Sequence, residues 1–170
     1  MDLDKLIRDV PDFPKKGIVF KDITTLLSDR EGFAFAIEVM SEKYNGQSID
    51  KIVGIESRGF IFGGALAYKF QCGFVPIRKP GKLPYESIKE DYSLEYGTNT
   101  LEIHTDAIKE GERVIIIDDL LATGGTAVAA ANLIKRLKGN IIGIDFLVEL
   151  EFLNGRDKLK DYDVFSYLKY

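Results

Sequence analysis

Two adjacent carboxylates, Asp118 and Asp119, stand just upstream of the run Ala122-Thr123-Gly124-Gly125-Thr126. The glycines let the backbone turn sharply and let a ligand approach it closely. The threonines add hydroxyls. Residues 127–137 are alanine-rich and helix-favouring, so the run ends at a helix N-terminus. There, free N–H groups and the helix dipole favour an anion. The chemistry this pattern can do is to cradle a phosphate while two carboxylates take sugar hydroxyls or a magnesium ion. A Gly-Gly turn or a strand-end aspartate alone is an ordinary loop feature; the ordered combination is specific.

Two further stretches could meet a second anion. Glu56-Ser57-Arg58-Gly59 follows the apolar run Lys51-Ile52-Val53-Gly54-Ile55 and precedes a helical stretch, 60–70, which places Arg58 at a helix start. Its guanidinium fork suits bidentate phosphate binding. By itself it would read as a surface arginine over a tight turn. Arg78, Lys79 and Lys82 fall among Pro80, Gly81 and Pro84, a solvated and mobile loop that can close over a polyanion. His104 sits on a strand pattern and reads as a satisfied or exposed strand histidine rather than a catalytic one.

These loops need a scaffold. Val114-Ile115-Ile116-Ile117 is an unbroken β-branched run suited to a central parallel strand covered on both faces. Residues 51–55, 73–77, 100–104, 140–146 (continuing to 150) and 163–168 read as further strands, and 31–44, 60–70 and 127–137 as helices. Asp29 or Ser28 is positioned to cap the first of these helices. Residues 2–9 read as a short amphipathic helix, 17–24 as an edge strand or extended loop, 85–91 as polar lid, and 155–162 as an exposed turn or helix. Alternating strands and helices predict an α/β fold, a doubly wound and mainly parallel sheet. Ligands bind beyond the carboxyl ends of strands in such folds, the edge from which all three loops emerge.

Bulk properties exclude several classes. At 170 residues and 45% hydrophobic the chain predicts one domain with a real core. A net charge of −4 gives no global attraction to nucleic acid or anionic lipid. Cys72 and His104 are the only residues of their types, which excludes disulfide frameworks and cysteine or histidine zinc sites. There is no GxxxxGK[ST] and no GxGxxG after a strand. No run approaches the roughly 18 apolar residues of a membrane span, and the N-terminus has no signal-like core, so a cytoplasmic protein is expected.

The run Arg113–Thr126, RVIIIDDLLATGGT, resembles the phosphoribosyl-pyrophosphate (PRPP) motif of type I phosphoribosyltransferases, in the form carried by the adenine-specific branch. The resemblance extends over residues 11–150 in five ordered segments. It implies that Asp118 and Asp119 hold the ribose hydroxyls, and that Ala122, Thr123, Gly124, Gly125 and Thr126 grip the 5′-phosphate. ESRGF resembles the pyrophosphate loop, assigning Ser57, Arg58 and Gly59 to the leaving group. IRKPGKLP resembles the basic stretch before the catalytic loop, adding Arg78, Lys79 and Lys82, some acting across a dimer interface. PDFP and GIVFKDIT resemble the base-covering hood, here 1–27. Phe20 would stack on adenine and the Val19 backbone bond the ring edge, with Lys21 beside them and Leu150 on the opposite side. YSLEYG resembles the end of the lid, making Glu95 the catalytic carboxylate.

The resemblance thus implies a cytoplasmic homodimer that converts adenine and PRPP to AMP and pyrophosphate. Mg²⁺ is held mainly by substrate oxygens, and neither nucleic acid nor membrane is a partner. Two alternatives keep the PRPP loop: a phosphoribosyltransferase for xanthine or guanine, with a different hood, and a non-catalytic PRPP-sensing regulator, which has no need of Glu95.

Overall fold

A computed structural model describes residues 1–93 and 97–170. The chain divides into two units, Met1–Asn45 and Gly46–Tyr170.

In the first unit a single 3-10 turn, Leu3–Leu6, replaces the helix expected over 2–9. The chain then enters a strand, β1 (Arg8–Pro11), paired antiparallel with β2 (Val19–Asp22), so that Val10 faces Phe20. Backbone pairing from Arg8 opposite Asp22 to Pro11 opposite Val19 takes these residues out of a helix, and Arg8 Nε and Nη2 add bonds to Asp22 Oδ2 at 3.0 and 2.6 Å. The hairpin loop turns at Asp12 and Gly17, both at positive φ, where Gly17 N–H donates to Asp12 Oδ1 at 2.6 Å. A short helix not foreseen from the pattern, α1 (Thr24–Ser28), follows Asp22, whose Oδ1 accepts the Thr24 N–H at 2.9 Å. Next is α2 (Arg30–Glu42), capped by Asp29, which accepts the Gly32 N–H at 2.7 Å.

The second unit runs β3 (Lys51–Ile55), α3 (Gly59–Phe70), β4 (Gly73–Ile77), β5 (Ser87–Ser93), β6 (Thr98–His104), β7 (Arg113–Leu121), α4 (Gly125–Arg136), β8 (Asn140–Glu149) and β9 (Val164–Lys169). The sheet order is β4-β3-β7-β8-β9, with every neighbouring pair parallel. The β-branched run of β7 lies in the middle, fully buried. Each such side chain contributes about 1.5–3 kcal/mol of apolar burial. Val53, Ile55, Val114, Ile116, Ile144 and Phe146 pack with Ala130, Leu133 and Ile134 of α4 and with Leu101 and Ile103 of β6. On the opposite face α3 lies close enough over Gly54 that a Cβ on Gly63 would meet the Phe74 ring at 2.8 Å. This is the expected doubly wound α/β architecture.

In the sheet and its neighbouring ribbon two sequence expectations need correction. The strand expected to end at Ile117 continues through the acidic pair to Leu121, because residues 118 to 121 stay in register with β8, Asp118 opposite Phe146 and Leu121 opposite Glu149. Residues 87–93, read as part of a polar lid, form β5 in an antiparallel ribbon with β6. Their alternation was hidden because Glu90 occupies an inward position. Its carboxylate accepts from Asn132 Nδ2 at 2.9 Å and Arg136 Nη1 at 3.2 Å, so α4 supplies polar partners where an apolar residue would be expected. Among the described residues no helix is long and apolar enough to cross a membrane.

Candidate active site

The loops after β3, β4 and β7 all leave the carboxyl edge of the sheet. Gly124, the residue before α4, has φ +81°, a conformation open to glycine and strained for other residues. Its carbonyl accepts the first helical bond, from Val128 N–H at 3.0 Å, and it has no side chain to cap the helix. The N–H groups of the first turn therefore remain available to an anion. Beside them is a small cavity of about 70 Å³ lined by Asp118, Ala122, Thr123, Gly124, Thr126 and Phe146. The end of β5 lies against the same turn: a Cβ on Gly125 would meet the Tyr92 ring at 3.2 Å and the Ser93 carbonyl at 3.5 Å.

Asp118 and Asp119 share one charged network with Arg58. Arg58 Nε lies 2.9 Å from Asp119 Oδ2, and the Asp119 N–H donates to Asp118 Oδ1 at 2.9 Å. Burial, then the neighbouring Asp119 charge, pushes Asp118 well above the ordinary carboxylate range. Burial also raises Asp119, against the downward pull of Arg58. A buried carboxylate and a half-buried one with one cation make a site that gains from hydroxyl donors or added positive charge. Gly59 is what lets this loop come so close to β7, since a Cβ there would meet the Ile117 carbonyl at 2.8 Å and Asp118 Oδ1 at 3.0 Å. Ser57 joins Glu56 through a cis peptide bond.

Glu56 is the residue that sequence reasoning missed. Its buried carboxylate accepts the Lys79 N–H at 3.0 Å, Arg78 Nε at 3.3 Å and the Lys82 ammonium. Burial alone would raise its pKa, but bonds from Lys82, the Lys79 N–H and Arg78 together hold it at about 2. Glu102 grips the same loop, accepting the Gly81 N–H at 3.2 Å through its side chain and the Arg78 N–H at 3.0 Å through its carbonyl. The three cations noted in sequence are thus a held loop, with Arg78 and Lys82 turned to Glu56. The available signal was a carboxylate directly after a buried strand and a cation-rich loop elsewhere that needed one.

Leu150 follows β8 and donates its N–H to the Leu121 carbonyl at 2.9 Å, which sets it at the start of the glycine-rich loop. Val19, Phe20 and Lys21 lie on β2 in the first unit. Val19 is half exposed, Phe20 meets Phe13 edge to face at 5.2 Å, and Lys21 Nζ is 2.6 Å from Asp9 Oδ1. His104 accepts the Tyr85 N–H at 3.4 Å, a satisfied strand histidine. Glu95 lies outside the described residues. Among the described residues no group of three or more His, Cys, Asp or Glu side chains could hold a metal ion.

Comparison with known proteins places this arrangement in context. The family profile "Phosphoribosyl transferase domain" matches residues 24–169. The chain is 59% identical over 169 residues to an adenine phosphoribosyltransferase of Geotalea daltonii, covering 99% of each chain. It is 55% identical over 170 residues to that of Brachyspira hyodysenteriae, covering all of both. Among solved structures, the adenine phosphoribosyltransferase of Thermoanaerobacter pseudethanolicus superposes with a TM-score of 0.95 at 54% identity, over 99% of this chain and 98% of the other. The Saccharomyces cerevisiae enzyme, complexed with a dideoxy-imino-altritol bisphosphate and adenine, superposes with a TM-score of 0.90 at 42% identity, over 97% and 96%.

Proposed function

Because the chain belongs to the phosphoribosyltransferase family, in its adenine branch, we propose that it transfers the 5-phosphoribosyl group of PRPP to adenine, giving AMP and pyrophosphate in purine salvage. The observation that carries this reading is the continuity of one element: β7 delivers Asp118 and Asp119, then turns through Gly124 into the bare N-terminus of α4. A sugar hydroxyl pair and a 5′-phosphate are the ligand groups that such a sequence of acceptors and donors matches.

The reaction is displacement at the anomeric carbon through an oxocarbenium-like transition state. Asp118 and Asp119 accept the ribose hydroxyls, and residues 122–126 donate to the 5′-phosphate. Ser57, Arg58 and Gly59, with Arg78, Lys79 and Lys82, stabilise charge building on the pyrophosphate leaving group. Val19, Phe20, Lys21 and Leu150 hold adenine, and Glu95 manages the proton on its imidazole face. Little covalent work is asked of the protein, so positioning and electrostatics carry the rate. A Mg²⁺ ion, when bound with PRPP, supplies charge neutralisation on the leaving group. The Asp118–Asp119 pair fits as its hard-oxygen neighbour, since both carboxylates are raised by burial and would be relieved by a cation.

The chain acts as one functional domain, residues 1–27 forming the hood, and as a cytoplasmic homodimer. The test incubates the protein with PRPP, Mg²⁺ and, separately, adenine, hypoxanthine, guanine and xanthine. AMP from adenine alone is expected. A product from an oxopurine instead would discard the base assignment, and no product with any base would remove the catalytic reading.

A further inference from the structure

The short segment between β8 and β9 contains Gly155, a residue the sequence pattern placed in an exposed turn and the structure buries. Its backbone packs against the backbone of the glycine-rich loop. A Cβ on Gly124 would meet the Gly155 carbonyl oxygen at 2.5 Å. Conversely, a Cβ on Gly155 would run into the Ala122 carbonyl and lie 2.9 Å from the Gly124 nitrogen. The obstacles are main-chain atoms on both sides, so neither loop can yield by turning a side chain. Three features hold Gly155 in place. Asn154 before it is at φ +53°, and its carbonyl accepts the Asp157 N–H at 3.1 Å. Leu159, four residues on, is buried in the core against which α4 packs. Arg156, the next residue, is clamped: Nε donates to Glu149 Oε1 at 2.9 Å, Nη2 to Glu149 Oε2 and to Ser166 Oγ at 3.0 Å, and Nη1 to the Val164 carbonyl at 2.8 Å. Glu149 ends β8 and is buried, so the clamp is bolted to the sheet.

We infer that Gly155 is a positioning residue for the 5′-phosphate: with the turn locked by Arg156 and Glu149, it backs residues 122–124 and holds their N–H groups in the geometry that grips the anion. This rests on the reading that those residues bind the phosphate. A preformed donor array needs no rearrangement on binding, and a displacement near an ångström at such a site costs orders of magnitude in rate. Pyrophosphate, assigned to the loops after β3 and β4, does not depend on this backing.

The test compares wild type, Gly155→Ala, Arg156→Lys and Thr126→Val by calorimetric binding of ribose 5-phosphate and of pyrophosphate, with circular dichroism as the check of folding. Gly155→Ala is expected to weaken ribose 5-phosphate by about tenfold or more, about 1.4 kcal/mol, while pyrophosphate binding is unchanged. Arg156→Lys keeps the charge but loses the fork, and should shift ribose 5-phosphate in the same direction by a smaller factor. If Gly155→Ala does not fold, the Arg156→Lys shift decides the matter. Unchanged ribose 5-phosphate binding in the folded variants, or equal loss of both ligands, overturns the inference. If those variants are unchanged while Thr126→Val weakens ribose 5-phosphate, the backing role alone fails. Wild type that binds pyrophosphate but not ribose 5-phosphate would show that no 5′-phosphate site is present there, removing the reading and the inference together.

Discussion

Arg58 and Asp119 form an ion pair, Nε to Oδ2 at 2.9 Å, that joins the loop after β3 to the acidic end of β7. Sixty-one positions apart in sequence, they make the loop after β3 and the acidic pair of β7 one electrostatic unit. Whatever binds one side alters the charge balance of the other.

Replacing Arg58 tests that coupling. Arg58→Gln leaves Asp119 buried beside Asp118 with no counter-charge. Stranding a fully buried charge costs about 3–5 kcal/mol. The Arg58 side chain is 38% exposed, so solvent screening reduces the loss to about 1–2 kcal/mol. The carboxylates, already raised, rise further, so the destabilisation should be larger at neutral pH than in acid, where protonation relieves the repulsion. Thermal melts at neutral and at acid pH measure this. Equal losses would mean the pair does not govern the site's charge. The KM for PRPP should also rise by about tenfold or more.

Glu56 gives an acid limb with a defined window. Its pKa falls from 4.5 to about 2 on folding, so the folded state favours the carboxylate. The stability it contributes is complete above pH 4.5 and is lost as pH falls through about 2. Asp22, lowered from 3.8 to about 2 chiefly by the Thr24 N–H and Arg8, adds to the same window. In Glu56→Gln the slope of stability between about pH 4.5 and 2 should flatten while the Asp22 share persists. Because Arg78, Lys79 and Lys82 lose their anchor, the KM for PRPP should rise with it. Denaturant melts across this pH range, with steady-state kinetics at neutral pH, read both effects.

Glu95 carries the proton-handling role in the proposed mechanism. Glu95→Gln keeps the shape and removes the acid, so kcat should fall by roughly 10²- to 10⁴-fold with the KM for PRPP nearly unchanged. Retained kcat would strip Glu95 of its role without touching the PRPP site.

Neighbouring glycines on α3 should respond in opposite directions. Gly64 faces open space, so Gly64→Ala should stabilise by about 0.5–1 kcal/mol through helix propensity, raising Tm by about 1–4 °C. Gly63→Ala places a methyl 2.8 Å from the Phe74 ring and should lower Tm. Calorimetric melts of the two variants check the packing of α3 over β3 and β4.

Elements with strong local signals were legible from sequence. The strands Lys51–Ile55 and Gly73–Ile77 begin and end where the apolar runs do. A cap at Ser28 or Asp29, which the structure assigns to Asp29, and the helix opening at Thr-Gly-Gly-Thr were legible for the same reason, since propensity and capping act over a few residues. The 2–9 segment misled because its apolar spacing fits a helix, while Arg8 finds Asp22 fourteen residues on. β5 misled because Glu90 looks exposed until α4 supplies its partners.

Residues 113–126 by themselves determined a buried strand and a glycine-rich turn into a helix, because both depend on neighbours along the chain; pairing with β8 decided that the strand runs on through Asp118 and Asp119 to Leu121. Tertiary structure decided which charges meet: Arg58 with Asp119, Arg78 and Lys82 with Glu56, and Gly155 behind Gly124. Those pairings need parallel strands brought side by side by crossover helices, a registration set by burial of the whole sheet rather than by any local run of residues.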